Sequence, residues 1–320
     1  MSDSRFSMPQ QWRAWTWQGE ALQQSMISAE PLQPHDVLVQ NAAIGLNPVD
    51  WKVLESQVGQ VPGVDGAGTV VALGAEVDPG MLGARVAYHQ SLRRNGSFAE
   101  FTVLAAQVLM RLPDELDFAT AASLPCPMLT AWQAIEKVPM QPGAAILIAG
   151  AGGSVGHFLV QMAKARGFEV TTLSHERHWS RLHAQGAKCC LSDSMHNAEA
   201  TQRRYFAVID AVGPEHAARL ADNLLANGHL VCIQGRVEQW PCSPFGRALS
   251  LHEVALGALH LHGDAQQWRA LTQQGERLMA QLVQGKLESE QLLRFPYDQL
   301  PAQLLALQHR NFSGKQIILL

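Results

Sequence analysis

The sequence predicts an α/β protein in which a doubly wound parallel sheet accompanies a second, β-rich domain. Three observations carry this expectation. The first hundred or so residues read as short strands broken by turns, and from about Asp117 onward short apolar runs alternate with helical stretches. Near the end the pattern becomes mixed again. Buried β runs alternating with helices imply a parallel sheet covered on both faces. A chain of 320 residues, at roughly 150 per domain, leaves room for about two domains with a full core each. The expected partition is 1–117 with 264–320 for the β-rich domain and 118–263 for the parallel-sheet domain.

In the first part, Val37, Val39 and Asn41 alternate with Leu38, Gln40 and Ala42, a period of two that suits a pleated strand. Ala67 to Leu73, Arg85 to Tyr88 and Phe98 to Val103 read as further strands. Gly45, Pro48, Gly63, Gly74 and Pro79-Gly80 punctuate them. Many short strands with frequent turns predict a small barrel or sandwich.

The middle part opens with the turn Pro142-Gly143 and the apolar run Ala144 to Ala149. A glycine cluster follows, then a helix over Ser154 to Arg166 with Val155, Leu159, Met162 and Ala163 on one face. The unit repeats as strand Glu169 to Leu173, helix His178 to Gln185 and strand Lys188 to Leu191. Ala207 to Asp210 and Leu230 to Ile233 supply two more strands. At the end, helices are expected over Gln266 to Gly285 and Leu300 to Leu307, with a strand over Gln316 to Leu320.

Composition narrows the functional classes. The chain is 47% hydrophobic and 16% charged, with a formal net charge of −4. Nucleic-acid binding, which leaves a basic excess, is not expected. No run of about 18 apolar residues is present, so no membrane-spanning helix is expected. Met1 to Pro9 is polar and lacks the apolar core of a signal peptide. The five cysteines show no framework spacing and read as reduced thiols. A cytoplasmic location follows as an expectation.

Gly150-Ala151-Gly152-Gly153-Ser154-Val155-Gly156 lies between an expected buried strand and an expected helix. Glycines at such a turn let the backbone approach a pyrophosphate, which the first N–H groups of the helix then bind. The alternative is a plain strand-to-helix turn without a ligand.

Several further segments, in order, resemble the medium-chain dehydrogenases/reductases. They are Asn47-Pro48-Val49-Asp50-Trp51-Lys52, Pro62 to Gly68, Gly83-Ala84-Arg85-Val86, Ala121 to Cys126 and Leu129-Thr130-Ala131-Trp132. The loop Gly150 to Gly156, Asp210-Ala211-Val212-Gly213 and Gly314-Lys315-Gln316-Ile317 complete the series. The resemblance spans nearly the whole chain, and its nearest branch is the zinc-free quinone oxidoreductase and enone reductase group. It implies a Rossmann doubly wound parallel sheet plus a β-rich, GroES-like barrel domain built from both chain ends. It also implies a homodimer, and cofactor contacts from Thr130, Gly150, Gly153, Ser154, Val155, Gly156, Val212 and Gly213.

Zinc members of the family hold the metal with a Cys, a His or Cys next to a Glu, and a second Cys. The resemblance puts Asn47 in place of the first Cys and Val64-Asp65 in place of the His-Glu pair. Cys126 alone remains at a ligand position. A catalytic zinc needs about three protein ligands, so no metal is expected and Cys126 reads as a small buried residue. His260-Leu261-His262, in an expected strand, is not expected to form a metal pair.

Without zinc, the hydride acceptor must already be activated, as a quinone or an α,β-unsaturated carbonyl is. Around the family's cleft, Asn47, Lys52 and Tyr88 are the candidate donors to a substrate oxygen. Asn47 could instead shape a turn, Asp50 and Lys52 could form an ion pair or a solvated face, and Tyr88 could be a strand aromatic. Trp51 and Phe245 could wall an apolar pocket or belong to the core. A broad-substrate alcohol dehydrogenase and a non-catalytic NADPH-binding redox sensor or crystallin-like protein are the competing readings.

The cofactor is expected to be NADPH. An NAD-binding Rossmann unit carries Asp or Glu about twenty residues beyond the glycine loop, on the ribose 2′-hydroxyl. Here the second strand ends at Ser174, followed by His175, Glu176 and Arg177, with Arg181 one turn further. A hydroxyl on Ser174 and the planar fork of Arg177 suit a 2′-phosphate. Glu176 argues the other way.

Overall fold

The structure, a computed structural model, describes residues 8–192 and 204–320. Residues 1–7, the start of the polar stretch Met1 to Pro9, lie outside the described residues. The chain divides into two compact units, one reaching Cys126 and including Gly257–Leu320, the other spanning Pro127–Leu256.

The first unit begins with a hairpin of β1 (Gln11–Trp17) and β2 (Leu22–Ser28). Five strands follow: β3 (Asp36–Gly45), β4 (Asp65–Leu73), β5 (Arg85–His89), β6 (Phe101–Ala105) and β7 (Leu109–Arg111). Helix α1 (Pro48–Lys52) leaves β3, and α2 (Phe118–Ala122) follows β7. β3 pairs antiparallel with both β4 and β6. Irregular register between Leu38 and Val39, and between Asn41 and Ala43, lets this central strand bend within a closing sheet. Val37, Leu38 and Val39 are all buried, as befits a strand covered on both faces.

Helix α3 (Pro125–Glu136) carries the chain into the second unit. There β8 (Ala145–Ala149), β9 (Glu169–Leu173), β10 (Cys189–Leu191), β11 (Tyr205–Asp210), β12 (Leu224–Cys232) and β13 (Ser250–Glu253) form one parallel sheet. Its order is β10-β9-β8-β11-β12-β13. Helices α4 (Ser154–Ala165), α5 (Trp179–Gln185) and α6 (Pro214–Leu220) connect strands. Gly186 ends α5 at φ 111°, a left-handed conformation that glycine adopts without strain. Leu147, Leu173, Val208 and Leu230 from neighbouring strands share one buried cluster.

The chain then returns to the first unit through α7 (Leu259–His262) and α8 (Ala265–Val283). β14 (Leu292–Pro296), α9 (Leu300–His309) and β15 (Lys315–Leu319) end it. β15 lies antiparallel to β3, with Ile317 opposite Gly45. Both chain segments thus build one seven-stranded sheet, over a core that includes Trp12, Ile44, Phe98, Tyr297, Leu300 and Ile318.

Two expectations shift. The boundaries fall at 126/127 and 256/257 rather than 117/118 and 263/264. The reason lies at each junction: α2 packs so closely on β3 that a Cβ on Gly45 would sit 2.1 Å from the Ala122 carbonyl oxygen. At the other junction, the His260 ring packs against Trp268, with centroids 4.7 Å apart. His260 and His262 also stand on helix α7, not on a strand.

Candidate functional site

In the second unit, the strand order reverses at β8, with β9 on one side and β11 on the other. Ligands of open parallel sheets bind outside the carboxyl ends of the strands at such a switch point. The loop Gly150 to Gly153 occupies this place. Gly150 turns with φ 71°, and its N–H donates to Leu173 O at 3.1 Å. Gly156 lets α4 close on the loop, since a Cβ there would lie 2.4 Å from Ala151 Cα. Gly153 is the N-cap, which puts Ser154 and Val155 in the first turn, where helix N–H groups lack intrahelical partners.

The loop after β11 meets it. A Cβ built on Gly150 would stand 3.3 Å from Val212 Cγ2. Asp210 shapes that second loop: its Oδ1 accepts from Val212 N–H at 3.0 Å and Gly213 N–H at 2.8 Å. Its Oδ2 is hydrogen-bonded to the His216 ring. Thr130 lies buried on α3.

Beyond β9, Ser174 is buried and its Oγ has no hydrogen-bond partner. Arg177 is exposed, with Nε donating to His178 Nε2 at 3.1 Å. Arg181, one turn further, reaches the glycine loop and donates to Gly152 O at 2.9 Å. Sequence reasoning gave the nearer arginine the leading role; one turn of α5 brings the farther one to the loop. An unpartnered hydroxyl, two guanidinium groups and a glycine cradle fit a nicotinamide dinucleotide.

In the first unit, strand pairing assembles a buried polar cluster. Register puts Asp65 opposite both Gly45 on β3 and His89 on β5. His89 Nδ1–H donates to Asp65 Oδ1 at 2.9 Å. Asp65 Oδ2 accepts from Asn47 Nδ2 and from Cys126 N–H, each at 2.9 Å. Asn47 Nδ2 also donates to Gly45 O at 3.1 Å, while its Oδ1 accepts from Lys315 Nζ at 2.5 Å. Asp50 closes a capping box, accepting from Asn47 N–H at 2.7 Å and Val64 N–H at 3.0 Å. Burial pushes the Asp50 carboxyl up to about 7; Asp65 adds to the push, while the two N–H groups and Lys315 oppose it.

The candidates named from sequence fall differently. Asn47 belongs to the cluster, but both its amide N–H groups and its carbonyl are spent on protein partners. Asp50 is turned to backbone N–H groups rather than to Lys52. Lys52 is exposed, with Nζ 5.7 Å from the Trp51 ring centroid. Tyr88 is wholly buried, its OH donating to Asn41 Oδ1 at 2.6 Å and Thr102 Oγ1 at 3.0 Å. Burial raises its phenol above the ordinary value, and the side chain serves the core. Trp51 packs against the core, whereas Phe245 is fully exposed. His89 and Lys315 were missed, because the signal for both is strand register rather than local pattern.

Asp65, His89 and Cys126 offer ligand atoms that all lie within 4.8 Å of one another. Three donors are the number a catalytic zinc requires, but this set does not fit one. Both Asp65 oxygens already accept N–H groups, three in all. The His89 Nδ1 that would face a metal is bonded to the carboxylate instead. The Lys315 ammonium is bonded to the far end of Asn47, so the network already contains its cation.

Comparison with known proteins agrees with this anatomy. Residues 33–114 match the alcohol dehydrogenase GroES-like domain. The 2-methylene-furan-3-one reductase of Solanum lycopersicum is 28% identical over 257 residues, covering 74% of this chain and 66% of that protein. The chloroplastic NADPH-dependent alkenal/one oxidoreductase of Arabidopsis thaliana is 29% identical over 227 residues, 65% of this chain and 59% of the relative. The chain thus matches under two thirds of these relatives' length. The quinone oxidoreductase of Pseudomonas syringae pv. Tomato DC3000 superposes with a TM-score of 0.82 at 25% identity, covering 97% of this chain and 100% of the other. This chain therefore carries a segment similar to the alcohol dehydrogenase GroES-like domain and shares its fold with a quinone oxidoreductase.

Proposed function

We propose that this protein is an NADPH-dependent reductase that delivers hydride to a quinone or an α,β-unsaturated carbonyl without zinc. The observation that carries the reading is the Asp65 carboxylate, bonded to three N–H donors where zinc-dependent relatives would present metal ligands. Lacking a Lewis acid, such a site suits acceptors whose conjugation already spreads the incoming charge. Relatives that reduce a 2-methylene-furan-3-one and an alkenal/one support the acceptor class.

Bound NADPH would supply the hydride. The chain's part is binding and orientation, which dominate hydride transfer. Gly150 and Gly153 admit the pyrophosphate, and the Ser154–Val155 turn presents helix N–H groups to it. Ser174, Arg177 and Arg181 receive the 2′-phosphate, and no carboxylate stands at residue 174 to repel it. A cytoplasmic homodimer completes the proposal, checked by sedimentation. NADPH oxidation against a panel of quinones, enones and simple aldehydes tests it: turnover on the first two classes is expected. Tight NADPH binding with no turnover on any acceptor would instead support the sensor or crystallin-like alternative.

A further inference from the structure

A histidine interrupts the apolar face of α4. His157 stands one place after Gly156 and is buried beside Phe158, Leu159, Val160 and Ala163. A ring nitrogen in such surroundings is costly unless it is hydrogen-bonded.

The partners come from α5, where Arg181 and Gln185 stand one turn apart on a shared face. Gln185 Nε2 lies 2.7 Å from His157 Nδ1, and Arg181 Nη1 lies 3.4 Å from the same nitrogen. An amide nitrogen and a guanidinium can only donate, so Nδ1 is their shared acceptor. Gln185 is itself buried and its Oε1 has no partner, so the bond to the ring is what holds this amide.

The same guanidinium meets the glycine loop. While Nη1 turns to His157, Nη2 donates to Gly152 O at 2.9 Å. The loop is fixed where Arg181 meets it. A Cβ on Gly152 would lie 2.3 Å from the His178 ring. Gly150 and Ala151 N–H groups donate to Leu173 O at 3.1 and 3.3 Å, next to Ser174. A free arginine side chain samples many rotamers, and two fixed points on one planar fork select among them. All of these residues belong to the Pro127–Leu256 unit.

Resting on the NADPH reading above, we propose that His157, supported by Gln185, is the positioning residue that sets Arg181 for the 2′-phosphate. Through that guanidinium it determines the preference for NADPH over NADH. The ring is buried and acts only through Arg181.

The test measures NADPH and NADH binding by calorimetric titration in wild type, His157→Leu and His157→Asn. Leucine and asparagine are alike in size, but only asparagine presents an acceptor near the Nδ1 position. The NADPH-to-NADH affinity ratio is expected to fall about tenfold or more in His157→Leu, the scale of one hydrogen bond to a charged group. His157→Asn should restore most of it. In an Arg181→Ala background, His157→Leu should leave the ratio unchanged, because the residue through which it acts is gone. Histidine ¹⁵N NMR of the protein without cofactor reads the contact directly, and serves also if His157→Leu does not fold. The His157 Nδ1 resonance should move in Arg181→Ala. Equal losses on both nucleotides, no rescue by asparagine, independent effects of the two substitutions, or an Nδ1 resonance indifferent to Arg181→Ala each overturn the proposal. An unchanged ratio in His157→Leu, from a wild type that prefers NADPH, overturns it and leaves the cofactor reading standing. A wild type that prefers NADH overturns both.

Discussion

Lys315 Nζ donates to Asn47 Oδ1 at 2.5 Å, across 268 positions of sequence. The bond ties the start of β15 to the residue that leaves β3, and Asn47 in turn holds Asp65. The two ends of the first unit are therefore joined by polar bonds as well as by strand pairing.

Lys315→Met should leave the buried Asn47 carbonyl without a donor while keeping most of the side-chain volume. The expected cost is about 1–3 kcal/mol, the desolvation penalty of one unsatisfied polar group. Thermal melting should show the loss, and an unchanged melting temperature would mean that another donor replaces Nζ.

Asp50 makes stability depend on pH. Its folded value, raised by burial to about 7, exceeds the ordinary 3.8. Below the ordinary value the carboxyl is protonated in both states. Between the two values the folded state holds a proton that the unfolded state has lost, so stability falls as pH rises through this window. Urea unfolding of wild type and Asp50→Asn between pH 4 and 8 checks the sign. Wild type should lose stability relative to the variant as pH rises toward 7, and parallel curves would contradict this.

Cofactor choice should rest on Ser174 and the two arginines beyond it. Ser174→Asp is expected to weaken NADPH and to leave or improve NADH. Arg181→Ala and Arg177→Ala should each cost NADPH about 1.5–3 kcal/mol, the range for a hydrogen bond to a charged group, with little change for NADH. Calorimetric titration with both nucleotides measures this. A wild type that prefers NADH, with the preference lost in Glu176→Ala, would reverse the assignment.

The glycine loop was legible because its signal is local: strand, glycines and helix lie within a short stretch, Ala145 to Ala165. The alternating pattern also revealed the parallel sheet, since β8, β9 and β11 are each followed by a helix. The polar cluster was not legible, because it depends on register. Tyr88 and His89 are neighbours on β5, and side chains alternate across a strand. One residue therefore decides which enters the core and which meets Asp65. Asp65 and His89 are 24 positions apart and meet only through antiparallel pairing. The reach of Arg181 to Gly152 likewise follows from how α5 packs against α4, which composition does not encode.

The most direct measurement is NADPH oxidation by the purified protein with an enone or quinone, before and after exhaustive chelation, alongside metal analysis of the same sample. Asp65 and His89 bonded to each other predict undiminished turnover after chelation and no stoichiometric zinc. Turnover confined to simple alcohols or aldehydes, lost on chelation and restored by zinc, would contradict the account.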